Sequence, residues 1–159
     1  MSPRTAPRLV VICGLPGSGK TTLARELERS LPAVRFGADE WMVALGVDLW
    51  EQPFRALMEA RLRELAAELL RLGVAVVLEF GFWTRAERDE LLALARGLGV
   101  PVELRFLDAP IEELWRRVDA RNCTDAWPDR PITRAEMDWW QALFEAPTPE
   151  ELARYDPPA

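Results

Sequence analysis

The sequence predicts a three-layer α/β/α fold around a mainly parallel sheet with core strand order 2-3-1-4. Three observations carry that expectation. Two continuous apolar runs, Leu9–Cys13 and Val74–Leu78, suit strands covered on both faces. Stretches with helical periodicity separate the strand candidates, and alternation of strand and helix builds parallel sheets through right-handed crossovers. A glycine-rich turn follows the first run directly, at Gly14, Gly17 and Gly19.

The elements follow in order. Leu9–Cys13 is the first strand, and a helix is expected from Thr21 to Ser30. Ala33–Phe36 is a short second strand carrying Arg35. Phe54, Met58, Leu62, Leu65 and Leu69 recur at helical spacing before the third strand, Val74–Leu78. Thr84-x-x-Glu87 is a capping box for a helix to about Arg96, where Gly97 and Gly99 stop it. Val102–Phe106 alternates apolar with charged residues. Helices are then expected over Ile111–Arg121, from the capping box Thr133-x-x-Glu136 through Phe144, and briefly from Thr148-Pro149. The apolar strands belong inside and the charged ones at the rims, where charge blunts an unpaired edge. No convincing fifth strand follows, so the rim is either bare or covered by another subunit.

A chain of 159 residues suits one domain, taken here as 1–159. Its 49% hydrophobic and 29% charged content excludes a disordered chain. No apolar run is long enough to span a membrane, and the first residues lack the apolar core of a signal peptide, which points to a cytoplasmic protein. A formal charge of −6 makes nucleic acid a less favoured partner. Histidine is absent, which excludes imidazole bases and His-type zinc sites. Two cysteines, Cys13 and Cys123, make no disulfide framework.

Of the 20 basic residues all are arginine except Lys20. That lysine lies in Gly14-Leu15-Pro16-Gly17-Ser18-Gly19-Lys20-Thr21-Thr22, which satisfies the phosphate-loop pattern G-x-x-x-x-G-K-[ST]. An ammonium is a compact point charge that fits between the β- and γ-phosphates, where an arginine fork is too broad. Strand before and helix after complete the context, so the fold class is that of a P-loop NTPase. The expected cofactors are ATP and Mg²⁺. Gly14, Pro16, Gly17, Ser18, Gly19, Lys20, Thr21 and Thr22 would hold the nucleotide, and Thr21 would help hold the metal.

The chain resembles small P-loop kinases of the zeta-toxin, chloramphenicol phosphotransferase and polynucleotide kinase branch, often described as predicted kinases or AAA-type ATP-binding proteins. The resemblance rests on the loop, on Gly37-Ala38-Asp39-Glu40-Trp41, on Val77-Leu78-Glu79-Phe80-Gly81-Phe82-Trp83, and on Leu114-Trp115-Arg116-Arg117 through Arg121-Asn122. It implies that Asp39 accepts the proton of the hydroxyl being phosphorylated, with Glu40 as substitute; the alternative is that Asp39 caps a helix beginning at Glu40. It implies that Glu79 touches magnesium-bound water, against a purely structural role. Arg117 would contact the base and Arg121 the transferring phosphate, with Arg130 in a lid of about 121–133. Arg116 faces away.

Trp41, Phe82, Trp83 and Trp127 fall where the phosphates bind and could stack on an acceptor or simply pack loops; Arg85 could hold an anionic group or sit in water. One of the adjacent Trp139 and Trp140 must point outward. The expected activity is an ATP-dependent phosphotransferase acting on a hydroxyl of a small molecule such as a nucleoside, sugar derivative or antibiotic. The alternatives are a polynucleotide 5′-hydroxyl kinase and a nucleotide-dependent regulatory switch. The sequence does not give the oligomeric state.

Overall fold

A computed structural model describes residues 6–124 and 130–159. Four parallel strands form one sheet in the order β2-β3-β1-β4: β1 is Leu9–Cys13, β2 Ala33–Gly37, β3 Ala75–Gly81 and β4 Val102–Phe106. The order agrees with the one read from composition. Val10 pairs with Val77 on one side and Glu103 on the other, and Gly37 pairs with Glu79 at the sheet's C-terminal end.

Alternate residues of β1 face opposite layers, as a strand's period of two requires. Leu9 and Val11 pack with Val76, Leu78, Met58, Leu62, Leu91 and Ala95, which puts α3 (Gln52–Arg71) and α4 (Arg85–Leu98) on that face. Val10, Ile12 and Val77 pack against Ala24, Leu23 and Leu27 of α1 (Lys20–Ser30). Each fully buried Val, Leu, Ile or Met side chain among them contributes roughly 1.5–3 kcal/mol of transfer free energy, so the two central strands anchor both layers. A third cluster caps the strands' C-terminal ends: Leu15 with Leu114 and Val118 of α5 (Ile111–Asn122), and Ile132 with Met137 of α6 (Arg134–Leu143). α2 (Ala38–Ala44) follows β2, and α7 (Pro149–Leu152) is the last helix. The capping boxes at Thr84 and Thr133 both form.

Several boundaries differ from the sequence-based reading. β3 runs past Leu78 through Glu79 and Phe80 to Gly81, because Arg35 on the neighbouring strand compensates the carboxylate. The β1–β3 register shifts between Val11 and Cys13, so β3 bulges at its end. Bulges re-aim side chains near functional sites. Gly97 lies inside α4, and Gly99 alone ends it at φ 67. The carboxylate on β4 does not face solvent. Glu103 is buried and paired with Arg8 at 2.6 Å and Arg105 at 2.9 Å. No fifth strand forms among the described residues, but the chain after α7 covers this rim: the Asp156 N–H donates to the Val102 carbonyl, and the Val102 N–H donates to Asp156 Oδ2, both at 2.8 Å. Arg96 fixes that carboxylate at 2.7 Å. Among the described residues, no helix is long and apolar enough to cross a membrane.

Candidate active site

The loop between β1 and α1 gathers polar groups at the C-terminal end of the sheet. Gly17 and Gly19 take φ of 81 and 91, so the chain turns back on itself. At Gly17 a Cβ would lie 2.9 Å from the Leu114 carbonyl oxygen; the loop is pressed against α5 and tolerates no side chain there. Helix α1 opens from this turn with no side-chain cap and no acidic residue in its first turn. Its first N–H groups and the positive end of its dipole therefore suit an anion. Ser18 Oγ is buried without a hydrogen-bond partner. A buried hydroxyl left unpaired is costly unless a ligand completes it.

Lys20 Nζ donates to the Leu15 carbonyl at 2.9 Å. Burial lowers the ammonium pKa to about 8, with Arg121 adding to the effect, while Asp39 and Glu79 oppose it. These four side chains therefore share one electrostatic neighbourhood although they come from α1, α2, β3 and α5. Arg117 lies beside the loop, donating from Nη1 to the Gly17 carbonyl at 3.1 Å and pairing with Glu113. A cavity of about 450 Å³ is lined by Gly17, Ser18, Gly19, Thr22, Arg117 and Arg121. Arg116 is exposed.

Glu79 is buried beneath the loop. Arg35 Nη1 donates to its Oε1 at 2.6 Å. Burial pushes its pKa up, and the Thr21 and Arg35 contacts oppose that shift. A side chain at Gly37 would displace it, since a Cβ there would fall 2.5 Å from Glu79 Oε1. Among the described residues no group of three or more carboxylate or thiol side chains could hold a metal alone. Such a donor set suits a magnesium ion that takes most of its ligands from phosphate and water, to which Thr21 and Glu79 would add.

Asp39 lies in the first turn of α2, whose cap is Gly37, so a capping role for it does not apply. Its side chain is 62% exposed, open to a ligand, and Arg55 Nη2 holds Oδ1 at 2.7 Å. Glu40 is otherwise engaged, between Arg25 at 2.7 Å and Arg35 at 2.6 Å. Partial burial opposes its ionisation, but the two guanidinium groups outweigh this and hold its pKa below the ordinary carboxylate value. That removes Glu40 as the substitute base.

The aromatic expectations divide. Phe82 is in the core, 2% exposed, and does not reach an acceptor; its backbone turns at φ 48 and carries the ring inward against Phe80. Trp83 is half-buried in a ladder, 5.8 Å from Trp140, which stacks on Trp50 at 5.8 Å. Trp41 is 37% exposed and meets Phe36 edge-on. Trp139 points to solvent and Trp140 packs, as adjacency on a helix requires. Trp127 lies outside the described residues, as does part of the expected lid. Arg130 is not drawn to the phosphate loop: its guanidinium lies 3.6 Å from the Trp50 ring centroid and pairs with Glu136 at 2.6 Å. Arg85 faces Asp89 at 3.5 Å, one helical turn along α4.

Sequence reasoning passed over Arg35, Arg55 and Trp50. Each acts through partners far away in the chain, and an isolated arginine or tryptophan carries no spacing signal.

The AAA domain family matches residues 9–147. A shikimate kinase from Corynebacterium glutamicum is 31% identical over 155 residues, covering 92% of this chain and 84% of the relative. A gluconokinase structure from Sinorhizobium meliloti superposes with TM-score 0.64 at 19% identity, covering 92% of this chain and 80% of that one. A chain of the Pnkp1/Rnl/Hen1 RNA repair complex superposes with TM-score 0.71 at 21% identity over 98% of this chain; the present sequence spans 48% of that chain's length.

Proposed function

The chain belongs to the AAA domain family, and from that membership we propose that it is a P-loop kinase transferring the γ-phosphate of ATP to a hydroxyl of a small molecule. The observation that carries this reading is the phosphate loop: glycine turns at φ 81 and 91 open the uncapped N-terminus of α1, with Lys20 and an unpaired Ser18 hydroxyl, beside the cavity lined by Arg117 and Arg121. The similarity to a shikimate kinase and the likeness to a gluconokinase support a small hydroxylated acceptor.

The loop amides, Ser18 Oγ and the Lys20 ammonium receive the phosphates. Asp39, oriented by Arg55, accepts the proton of the acceptor hydroxyl as its oxygen bonds to the γ-phosphorus. The bond from that phosphorus to the β–γ bridging oxygen breaks, and ADP leaves with the bridging oxygen. Lys20 and Arg121 stabilise the charge spread over the transferred group. Thr21 and Glu79 would help hold magnesium, which would supply further positive charge against the phosphates. The nucleotide base would lie against Arg117. Trp41 and the edge of the Trp83–Trp140–Trp50 ladder are the proposed acceptor surface, in the cytoplasm where ATP is available.

The test is a screen of hydroxylated compounds with γ-labelled ATP, read by mass spectrometry. A phosphorylated product is expected. Absence of both product and triphosphate binding would remove the reading. A polynucleotide 5′-hydroxyl acceptor is the second possibility, and the net charge of −6 weighs against it. It would show itself as substrate binding that weakens steeply with salt.

A further inference from the structure

Arg88 is completely buried and takes no part in the chemistry above. Its guanidinium meets the Glu151 carboxylate fork to fork, Nε to Oε1 at 2.6 Å and Nη2 to Oε2 at 3.0 Å. Both side chains are fully removed from water, at 0% and 1% exposure. An ion pair in that position has no clear stability advantage, since well-packed apolar residues often do as well or better. What an apolar pair could not supply is the third donor. Arg88 Nη1 donates to the Phe82 carbonyl at 2.9 Å, and the Cys13 thiol donates to the same oxygen at 3.3 Å.

That carbonyl belongs to an unusual residue. Among the described residues Phe82 is the one non-glycine with positive φ, at 48, a conformation that bulky L-residues hold only when their surroundings impose it. The turn has a definite neighbour. The Gly14 N–H, at the start of the phosphate loop, donates to the Gly81 carbonyl at 3.2 Å, one residue before Phe82. Cys13 reaches the Phe82 carbonyl itself. The end of β1 and the end of β3 are thus pinned at two adjacent carbonyls, just past the bulge that aims Glu79. On the far side, the Trp83 carbonyl accepts from the Glu145 N–H at 2.8 Å. Glu151 is fixed in turn by its place in α7, where its N–H meets Thr148 Oγ1 at 3.2 Å, and the Tyr155 hydroxyl donates to the Arg88 carbonyl at 3.1 Å.

We propose that Arg88, held by Glu151, is a positioning residue for phosphoryl transfer: it imposes the left-handed turn at Phe82 and thereby sets the end of β3, with Glu79, against the phosphate loop. The inference rests on the kinase reading. Arg88 touches neither nucleotide nor acceptor and acts through the Phe82 backbone.

The test compares ATP hydrolysis to water, which needs no acceptor, in the intact chain and in two variants. Arg88→Met combined with Glu151→Leu removes the clamp and leaves an apolar pair of similar volume. The expected result is a folded protein with kcat for phosphate release reduced about tenfold and KM for ATP changed less than about threefold, because the loop's own amides still receive the phosphates while Glu79 is misaimed. Arg88→Lys decides the matter if the double variant does not fold. A lysine keeps the charge pair with Glu151 but lacks the fork that also reaches Phe82, and a comparable fall in kcat is expected. A folded variant of either kind with unchanged kcat and KM overturns the proposal and leaves the kinase reading standing. If the intact chain neither binds nor hydrolyses any nucleoside triphosphate, both fall together.

Discussion

Arg55 Nη2 and Asp39 Oδ1 stand 2.7 Å apart, joining the first turn of α3 to the first turn of α2. The same guanidinium nitrogen donates to the Leu49 carbonyl at 3.1 Å, so the arginine is anchored to the connection between the helices while it orients the carboxylate. One oxygen of Asp39 is occupied and the other is presented to solvent, which is the arrangement a base needs toward an incoming hydroxyl.

Asp39→Asn retains the shape of that contact and loses the base. Transfer to the acceptor should fall by about 10²–10⁴-fold. Nucleotide affinity should stay within about twofold, as measured by calorimetry. Undiminished turnover would take the base role from Asp39.

The ammonium of Lys20 sets a pH dependence. Its pKa of about 8 means that triphosphate affinity is level below that pH and declines as pH rises through it. Calorimetric titrations from pH 6.5 to 9.5 should trace the decline, and a flat profile would contradict it. The group affects stability with the opposite sign. Between about 8 and its unfolded value of 10.5 the folded chain holds fewer protons than the unfolded one, so this residue's contribution to stability increases with pH across that window. Lys20→Ala should abolish both dependences.

Glu79 would join the proposed metal site to the core, and its variants should separate the two roles. Glu79→Gln keeps a hydrogen-bond partner for Arg35 and should raise the magnesium concentration for half-maximal activity severalfold. Arg35→Leu strands a carboxylate that is almost wholly buried, with a loss of about 3–5 kcal/mol in urea unfolding. Equal magnesium requirements in Glu79→Gln and the parent would exclude the carboxylate from the metal's surroundings.

Gly17→Ala should impair nucleotide binding by at least tenfold in calorimetry while the far-ultraviolet dichroism stays native. The added methyl meets the Leu114 carbonyl at 2.9 Å on a backbone already at φ 81, so the loop must shift away from α5 and from Arg117.

The strand order, the helices and the phosphate loop were legible because their signals are local: apolar runs, capping boxes at Thr84 and Thr133, and a motif of fixed spacing. Strand length was misjudged past Glu79, where Phe80 and Gly81 continue β3 because a partner on the next strand compensates the carboxylate. Phe82 was misplaced for a related reason. Position past a strand end suggested the rim, but a positive φ turned the ring into the core. Arg55 and Arg88 escaped because each depends on a contact with a distant segment, Asp39 and Glu151. Periodicity describes one element at a time, while the site is assembled between elements.

Asp156 has a consequence for the molecule's dealings with its own kind. By engaging both the amide and the carbonyl of Val102, it fills one rung of an additional strand. A β-segment arriving from a second molecule finds that rung taken and cannot extend the ladder there by augmentation. A single aspartate thus closes the β4 edge to a further strand at Val102.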